Sequence, residues 1–210
     1  MFTKKEEALL QKLNTPAKVQ DFLNSLPFNF ERRGETLSSP LFTLRRGTAH
    51  CFEGALLGAY ILSLHGFRPA LVHLEATNDD YDHVVTLFKV RGLWGALSKT
   101  NHAVLRYREP IYKNVRELVM SYFHEYFLDD GRKTLRRYSA PLYLNKLGKT
   151  WITSEKNLWD IDKKLDKVKH YEIFPKSYIK KLRKAEKIEI KAGKIVEYKK
   201  YRGLPLIFSV

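Results

Sequence analysis

The stretch from Gly47 to Gly66, GTAHCFEGALLGAYILSLHG, constrains the chain more than any other. It holds the only cysteine, Cys51. From Phe52 to Leu64 almost every position is apolar or small, and a helix that is apolar all round belongs in an interior rather than on a surface. Gly54, Ala55, Gly58 and Ala59 leave room for a second element to approach closely. Gly47 punctuates the start, Thr48 can cap the first turn, and Gly66 suits the stop after the last turn. Cys51 is therefore expected in or beside the first turn of a buried helix. The unpaired amides and positive dipole end there favour a thiolate.

The remaining chain must supply what packs on such a helix. At 210 residues, with 44% hydrophobic and 13% aromatic content, it can bury a sizeable core. One large domain, or one with a small appendage, is expected. A single cysteine forms no internal disulfide, so nothing calls for an oxidising compartment. The charged start, MFTKKEE, leads into no apolar segment of a secretory leader. The apolar run of the Cys51 helix is too short and too interrupted by glycine to span a membrane. A soluble, cytoplasmic protein with no membrane contact is expected.

Residues 4–13 and 16–25 read as amphipathic helices, the second started by Thr15-Pro16. Ser39-Pro40 begins a short third helix, closed by Gly47. Beyond Gly66 the periodicity changes: 70–76 reads as a strand, 83–90 is β-branched and aromatic, and 93–98 returns as its antiparallel partner across Arg91-Gly92. The spacing predicts a helix over 111–128, a short strand at 142–144, a helix capped by Ser154, another opened by Pro175, and a hairpin over 187–198.

A thiol at a helix start followed by a histidine opening a strand holds the parts of a thiol nucleophile. The helix end depresses the thiol pKa, and the imidazole takes its proton and returns it to the leaving group. His83 is the natural partner, and a third group must orient it. His50 and His65, flanking the helix, read as surface or capping residues. His73, in mid-strand, reads as a satisfied core or face residue. His102 and His124 have no assigned role, and the aromatic run Tyr122–Phe127 reads as core.

Four segments in order, Cys51 with its small-residue helix, Gly66-Phe67-Arg68-Pro69-Ala70-Leu71-Val72, Asp82-His83-Val84-Val85-Thr86-Leu87 and Trp94-Gly95-Ala96-Leu97-Ser98-Lys99-Thr100, resemble the transglutaminase-like core of the papain-type cysteine enzymes. The resemblance covers roughly residues 40–105. It implies an α+β fold, a buried central helix on an antiparallel sheet, with Cys51 as nucleophile, His83 as general base and a peptide or protein amide as substrate. Where that family carries an orienting aspartate this chain has Ser98, which brings no charge. Asn101 is the alternative: if Arg91-Gly92-Leu93 is a three-residue loop, Asn101 falls opposite His83. Asp82 neighbours His83 on the strand, so its side chain points to the other face.

The formal net charge is +15, and lysine becomes frequent beyond about residue 155. The division expected is a core with N-terminal helices over 1–150 and a basic α+β extension over 151–210. Lysines 163, 164, 176, 180, 181, 184, 187, 191, 194, 199 and 200, with Arg183 and Tyr171, Tyr178, Tyr198 and Tyr201, form the second functional candidate. That face would suit nucleic acid or another anionic partner, in a binding module rather than an enzyme. The spacing of Asn78, Asp79, Asp80 and Asp82 fits no calcium loop. No metal and no cofactor is expected.

Overall fold

The computed structural model describes residues 1–199 of the 210. Lys200 and Tyr201 of the basic face lie outside the described residues.

Three helices lead in: α1 (Lys4–Lys12), α2 (Pro16–Ser25) and α3 (Pro40–Arg46). Thr3, Thr15 and Ser39 cap them through their hydroxyls, and proline opens α2 and α3. Gly47 closes α3 in the left-handed region, φ 70°. The central helix α4 spans Cys51–Leu64, and nearly all of it from Phe52 to Leu62 is buried. Its N-cap is His50, not Thr48. Gly66 ends it with φ 80°.

The fold is α+β. Strands β1 (Ala70–Glu75), β2 (His83–Val90), β3 (Leu93–Leu97), β4 (Arg108–Tyr112), β5 (Arg137–Ser139), β6 (Leu142–Tyr143) and β7 (His170–Glu172) form one antiparallel sheet. The path is β4-β3-β2-β1-β5-β7, and β6 adds to β1 beyond β5. Alternation along the strands sends side chains to two cores. Leu71, Val84, Phe88 and Leu97 meet α2, α4 and α6 (Trp159–Lys167) on one face. Val72, Leu74, Val85, Leu87 and Ala96 meet α5 (Val115–Phe123) on the other. Thr86 fixes the sheet to the central helix by donating its hydroxyl to the Ala55 carbonyl at 2.6 Å.

Gly54 and Gly58 allow that contact to be close. A β-carbon on Gly54 would overlap Lys99 Cβ and Cγ, and one on Gly58 would lie 2.8 Å from Leu97 Cδ1. The end of β3 and the residues after it therefore cross directly over the first turns of α4.

Several elements differ from the sequence reading. The hairpin β2–β3 turns on two residues, not three: Arg91 and Gly92 both have positive φ, 49° and 84°, the conformation that matches strand twist. The pairs Thr86–Leu97 and Val90–Leu93 follow, and the same register places Thr100, not Asn101, opposite His83. The segment predicted as one helix over 111–128 divides into edge strand β4 and α5. Asn114 caps α5 by accepting the Glu117 amide at 2.8 Å, and Pro110 is tolerated because β4 is an edge. Strand β5 has only three residues and carries no periodic signal.

Ser154 sits in a turn with Lys156 and α6 starts only at Trp159. Pro175 opens a 3₁₀ turn over Lys176–Lys181 rather than an α-helix. The predicted hairpin over 187–198 is instead the helix α7 (Lys187–Gly193) with Glu186 and Glu189 as a reciprocal cap. Ile188 is 70% exposed there, so the alternation of isoleucine with charge buries no sheet face.

Candidate active site

Cys51 lies in the first turn of α4 and is half-buried. Two histidines, His50 and His83, act on its thiol. Burial opposes ionisation, but hydrogen bonding and electrostatic attraction from His50 and then His83 outweigh it and hold the thiol well below its ordinary pKa.

His83 opens β2 and is 6% exposed. Its Nε2 is 2.8 Å from Ser98 Oγ. The Ser98 hydroxyl donates its single proton to the Leu105 carbonyl at 2.5 Å. Toward His83 that oxygen can therefore only accept, so Nε2 carries the hydrogen and Nδ1 keeps the lone pair for the thiol. Gln20 holds Ser98 in turn: its amide donates to the Ser98 carbonyl at 2.8 Å and accepts the Ser98 N–H at 2.9 Å. Leu105, at φ 59°, is anchored by its N–H on Glu125, 2.6 Å away.

Asn101 does not reach this arrangement through its amide. Its Nδ2 donates to the Tyr198 carbonyl at 2.8 Å and its Oδ1 accepts the Tyr198 N–H at 2.9 Å. His102 likewise pairs with Val196 and binds the Gly193 carbonyl. Residues 193–198 thus run alongside the loop after β3. The structure brings His83 and Ser98 together and gives Asn101 to the C-terminal segment. Asp82 binds His73 and the Ala76 amide.

His50 is the residue the sequence reading missed. It caps α4, as a histidine before a helix can, and it also acts on the Cys51 thiol. Nε2 donates to the Thr36 carbonyl at 2.7 Å, leaving Nδ1 for Cys51. Burial opposes its protonation. Hydrogen bonding and charge from Cys51, with the nearby Glu53 carboxylate, overcome this and raise its pKa to about 9. Glu53 is fully buried and ion-pairs with Arg46 at 2.5 Å, and it accepts from Asn29, Thr36 and the Ser38 amide. Burial alone would push its carboxyl up; His50 and Arg46 pull it below its ordinary value. The legible signal was His50-x-x-Glu53, the spacing of a reciprocal helix cap.

The basic C-terminal face is described in part. Lys169 lies 5.0 Å from the Tyr171 ring and Lys181 5.5 Å from the Tyr178 ring, so each ring has one of the chain's own cations beside it. Among the described residues, no helix is long and apolar enough to cross a membrane.

No family model matches the chain, and no curated protein matches it. Among solved structures, Legionella pneumophila LapG (EGTA-treated) is similar at 16% identity with a TM-score of 0.37, over 44% of this chain and 57% of that one.

Proposed function

We propose that the chain is a transglutaminase-like thiol enzyme, of the papain type, that performs acyl transfer or hydrolysis on a peptide, isopeptide or side-chain amide. The observation that carries this reading is the half-buried thiol between two imidazoles, each with its outer nitrogen committed: His50 to Thr36 and His83 to Ser98. Cys51 is the nucleophile. His83 Nδ1 takes its proton, and His50, as the cation, holds the thiolate. The sulfur attacks the amide carbonyl, the C–N bond breaks, and His83 returns the proton to the leaving nitrogen. The first-turn amide of Cys51 donates to the oxyanion. Water or an amine, deprotonated by His83, then attacks the thioester carbonyl and releases the thiolate. Ser98 does not touch substrate; it positions His83.

The test uses p-nitrophenyl acetate as an acyl donor on the full chain. A burst of nitrophenolate, with one acetyl group found on Cys51 by mass spectrometry, is expected. His83→Ala should slow it by about 10²–10⁴-fold, the usual scale of general base catalysis. Absence of acetyl-Cys51, or an equal acylation rate in His83→Ala, overturns the proposal.

A further inference from the structure

At the opposite edge of β1 from β2 a second group of titratable side chains converges, and the reaction above does not use it. The sheet register creates it. Leu74 pairs with Tyr138, and Ser139 pairs with His170, so His73, Ser139 and His170 form one row across three strands. Ser139 is fully buried, its Oγ accepts the His73 N–H at 2.9 Å, and its small side chain lets the two imidazoles meet over it. Glu75, two residues along β1, points to the same face. His73, Glu75 and His170 each present a ligand atom, all within 4.8 Å of one another.

The hydrogen bonds on the far side of each ring settle which nitrogens face inward. His170 Nδ1 donates to the Val168 carbonyl at 2.8 Å, leaving a lone pair on Nε2. His73 Nε2 donates to the Asp82 carboxylate at 2.9 Å, leaving a lone pair on Nδ1. These two lone-pair nitrogens are 3.3 Å apart. Two acceptors in that position repel unless a cation bridges them. Two nitrogens on a tetrahedral zinc, at about 2.0–2.1 Å each, are separated by about 3.3–3.4 Å. The outer partners, one carboxylate and one backbone carbonyl, are those that orient metal-bound imidazoles. Glu75 Oε2 is 3.8 Å from His170 Nε2, while Arg137 holds the other oxygen, Oε1. Asp166 on α6 stands 3.9 Å from His73 Nδ1 at the rim. The group opens on a cavity of about 550 Å³ that Asp80 and Tyr81 also line.

We propose that His73, Glu75 and His170 bind a zinc ion, with the fourth position open to the cavity and Asp166 at its rim. The ion ties β1 to β7 and, through His73, steadies Asp82, the residue that precedes His83. The alternative occupant of the His73–His170 gap is a proton.

Because Cys51 with its two histidines is itself a set of zinc ligands, the test uses the full-length Cys51→Ala chain, stripped of metal, titrated with Zn²⁺ against a chromophoric chelator and then with Co²⁺. One Zn²⁺ per chain is expected, with a four-coordinate cobalt spectrum. His170→Gln and His73→Gln in the same background should each lose at least about tenfold in affinity, with unchanged circular dichroism. Asp166→Asn should lose less. No stoichiometric zinc binding, leaving the bridging proton alone, overturns the proposal. So does affinity unaffected by His170→Gln, or a six-coordinate cobalt spectrum.

Discussion

His83 Nε2 and Ser98 Oγ are 2.8 Å apart, and the serine proton is spent on the Leu105 carbonyl. A hydroxyl with its proton committed elsewhere selects an imidazole tautomer as an aspartate would, but it adds no charge to stabilise the imidazolium. Ser98→Ala is expected to lower kcat/KM toward an acyl donor by about 10- to 100-fold, the ~1.5–3 kcal/mol of a hydrogen bond to a charged group. Ser98→Asp supplies the missing charge and should shift the basic limb of the pH–rate profile upward by stabilising His83 in its cationic form. A profile that does not move in Ser98→Asp, with the chain folded, would show that Ser98 does not act through His83.

The pH dependence of thiol alkylation distinguishes the two histidines. With the Cys51 thiol well below its ordinary pKa and His50 raised to about 9, the thiolate–imidazolium pair persists through neutrality. Iodoacetamide should therefore react at a constant rate between about pH 6 and pH 8, the span across which a free thiol's rate climbs steeply. It should accelerate as His50 loses its proton near 9 and leaves a more basic thiolate. His50→Asn should raise the thiol pKa and slow alkylation most at the acid end. The His50 contribution to folding, taken alone, is full below 6.5 and lost as pH rises through about 9, while the depressed Cys51 thiol contributes the opposite slope, so the His50 sign is read from the difference between the unmodified chain and Cys51→Ala. Measuring chemical denaturation at several pH values checks the sign.

The parts of this site that were legible in the sequence are the parts set by local rules. The α4 helix and the strand opening at His83 follow from composition and period, and Ser98 beside His83 from the family resemblance. The role of Asn101 hung on one residue of turn length. Arg91 at positive φ is uncommon for a non-glycine residue, and its acceptance there makes the loop two residues and moves every partner by one. His50 was hidden because a histidine before a helix is ordinarily a cap; its second contact depends on Thr36 and Glu53 closing around it. The His73–His170 row depends on β5 and β7, two strands of three residues, too short for any periodicity to reveal. The alternation I-E-I over 188–190 has strand period, but the reciprocal cap at Glu186 and Glu189 favours a helix there.

Glu53 carries the burden of the charged network beneath the thiol. It is completely enclosed, with Arg46 at 2.5 Å and the His50 ring at 3.5 Å. Glu53→Ala leaves two cations without their counter-charge and four donors without an acceptor. A loss of about 3–5 kcal/mol in urea denaturation is expected. Glu53→Gln keeps most of the donors satisfied and should cost less. It removes the charge, so the raised pKa of His50 should fall and alkylation of Cys51 at low pH should slow with it. Equal stability of Glu53→Ala and the unmodified chain would mean that Arg46 and His50 find other partners.

Gly54 tests whether the close crossing of α4 by the chain after β3 matters to both stability and site. Alanine in a helix interior is intrinsically better than glycine by ~1 kcal/mol. At Gly54 that gain is opposed by overlap with Lys99 Cβ and Cγ, atoms beside the backbone that cannot swing aside, in a residue that is itself buried with its ammonium on the Leu26 carbonyl. Overpacking of this kind costs about 1–3 kcal/mol, so Gly54→Ala should be net destabilising. At Gly58 the obstacle is the terminal methyl of Leu97, which can rotate, and alanine there should cost less. The two variants also differ in reach. Lys99 is bonded to Ser98, so the displacement forced at Gly54 moves the oxygen that orients His83. Gly54→Ala should slow acylation of Cys51 beyond what its stability loss explains, whereas Gly58→Ala should leave the acylation rate near that of the unmodified chain. Denaturation curves and acetylation rates on the two variants decide it; a Gly58→Ala chain as impaired in acylation as Gly54→Ala would separate the crossing from the site.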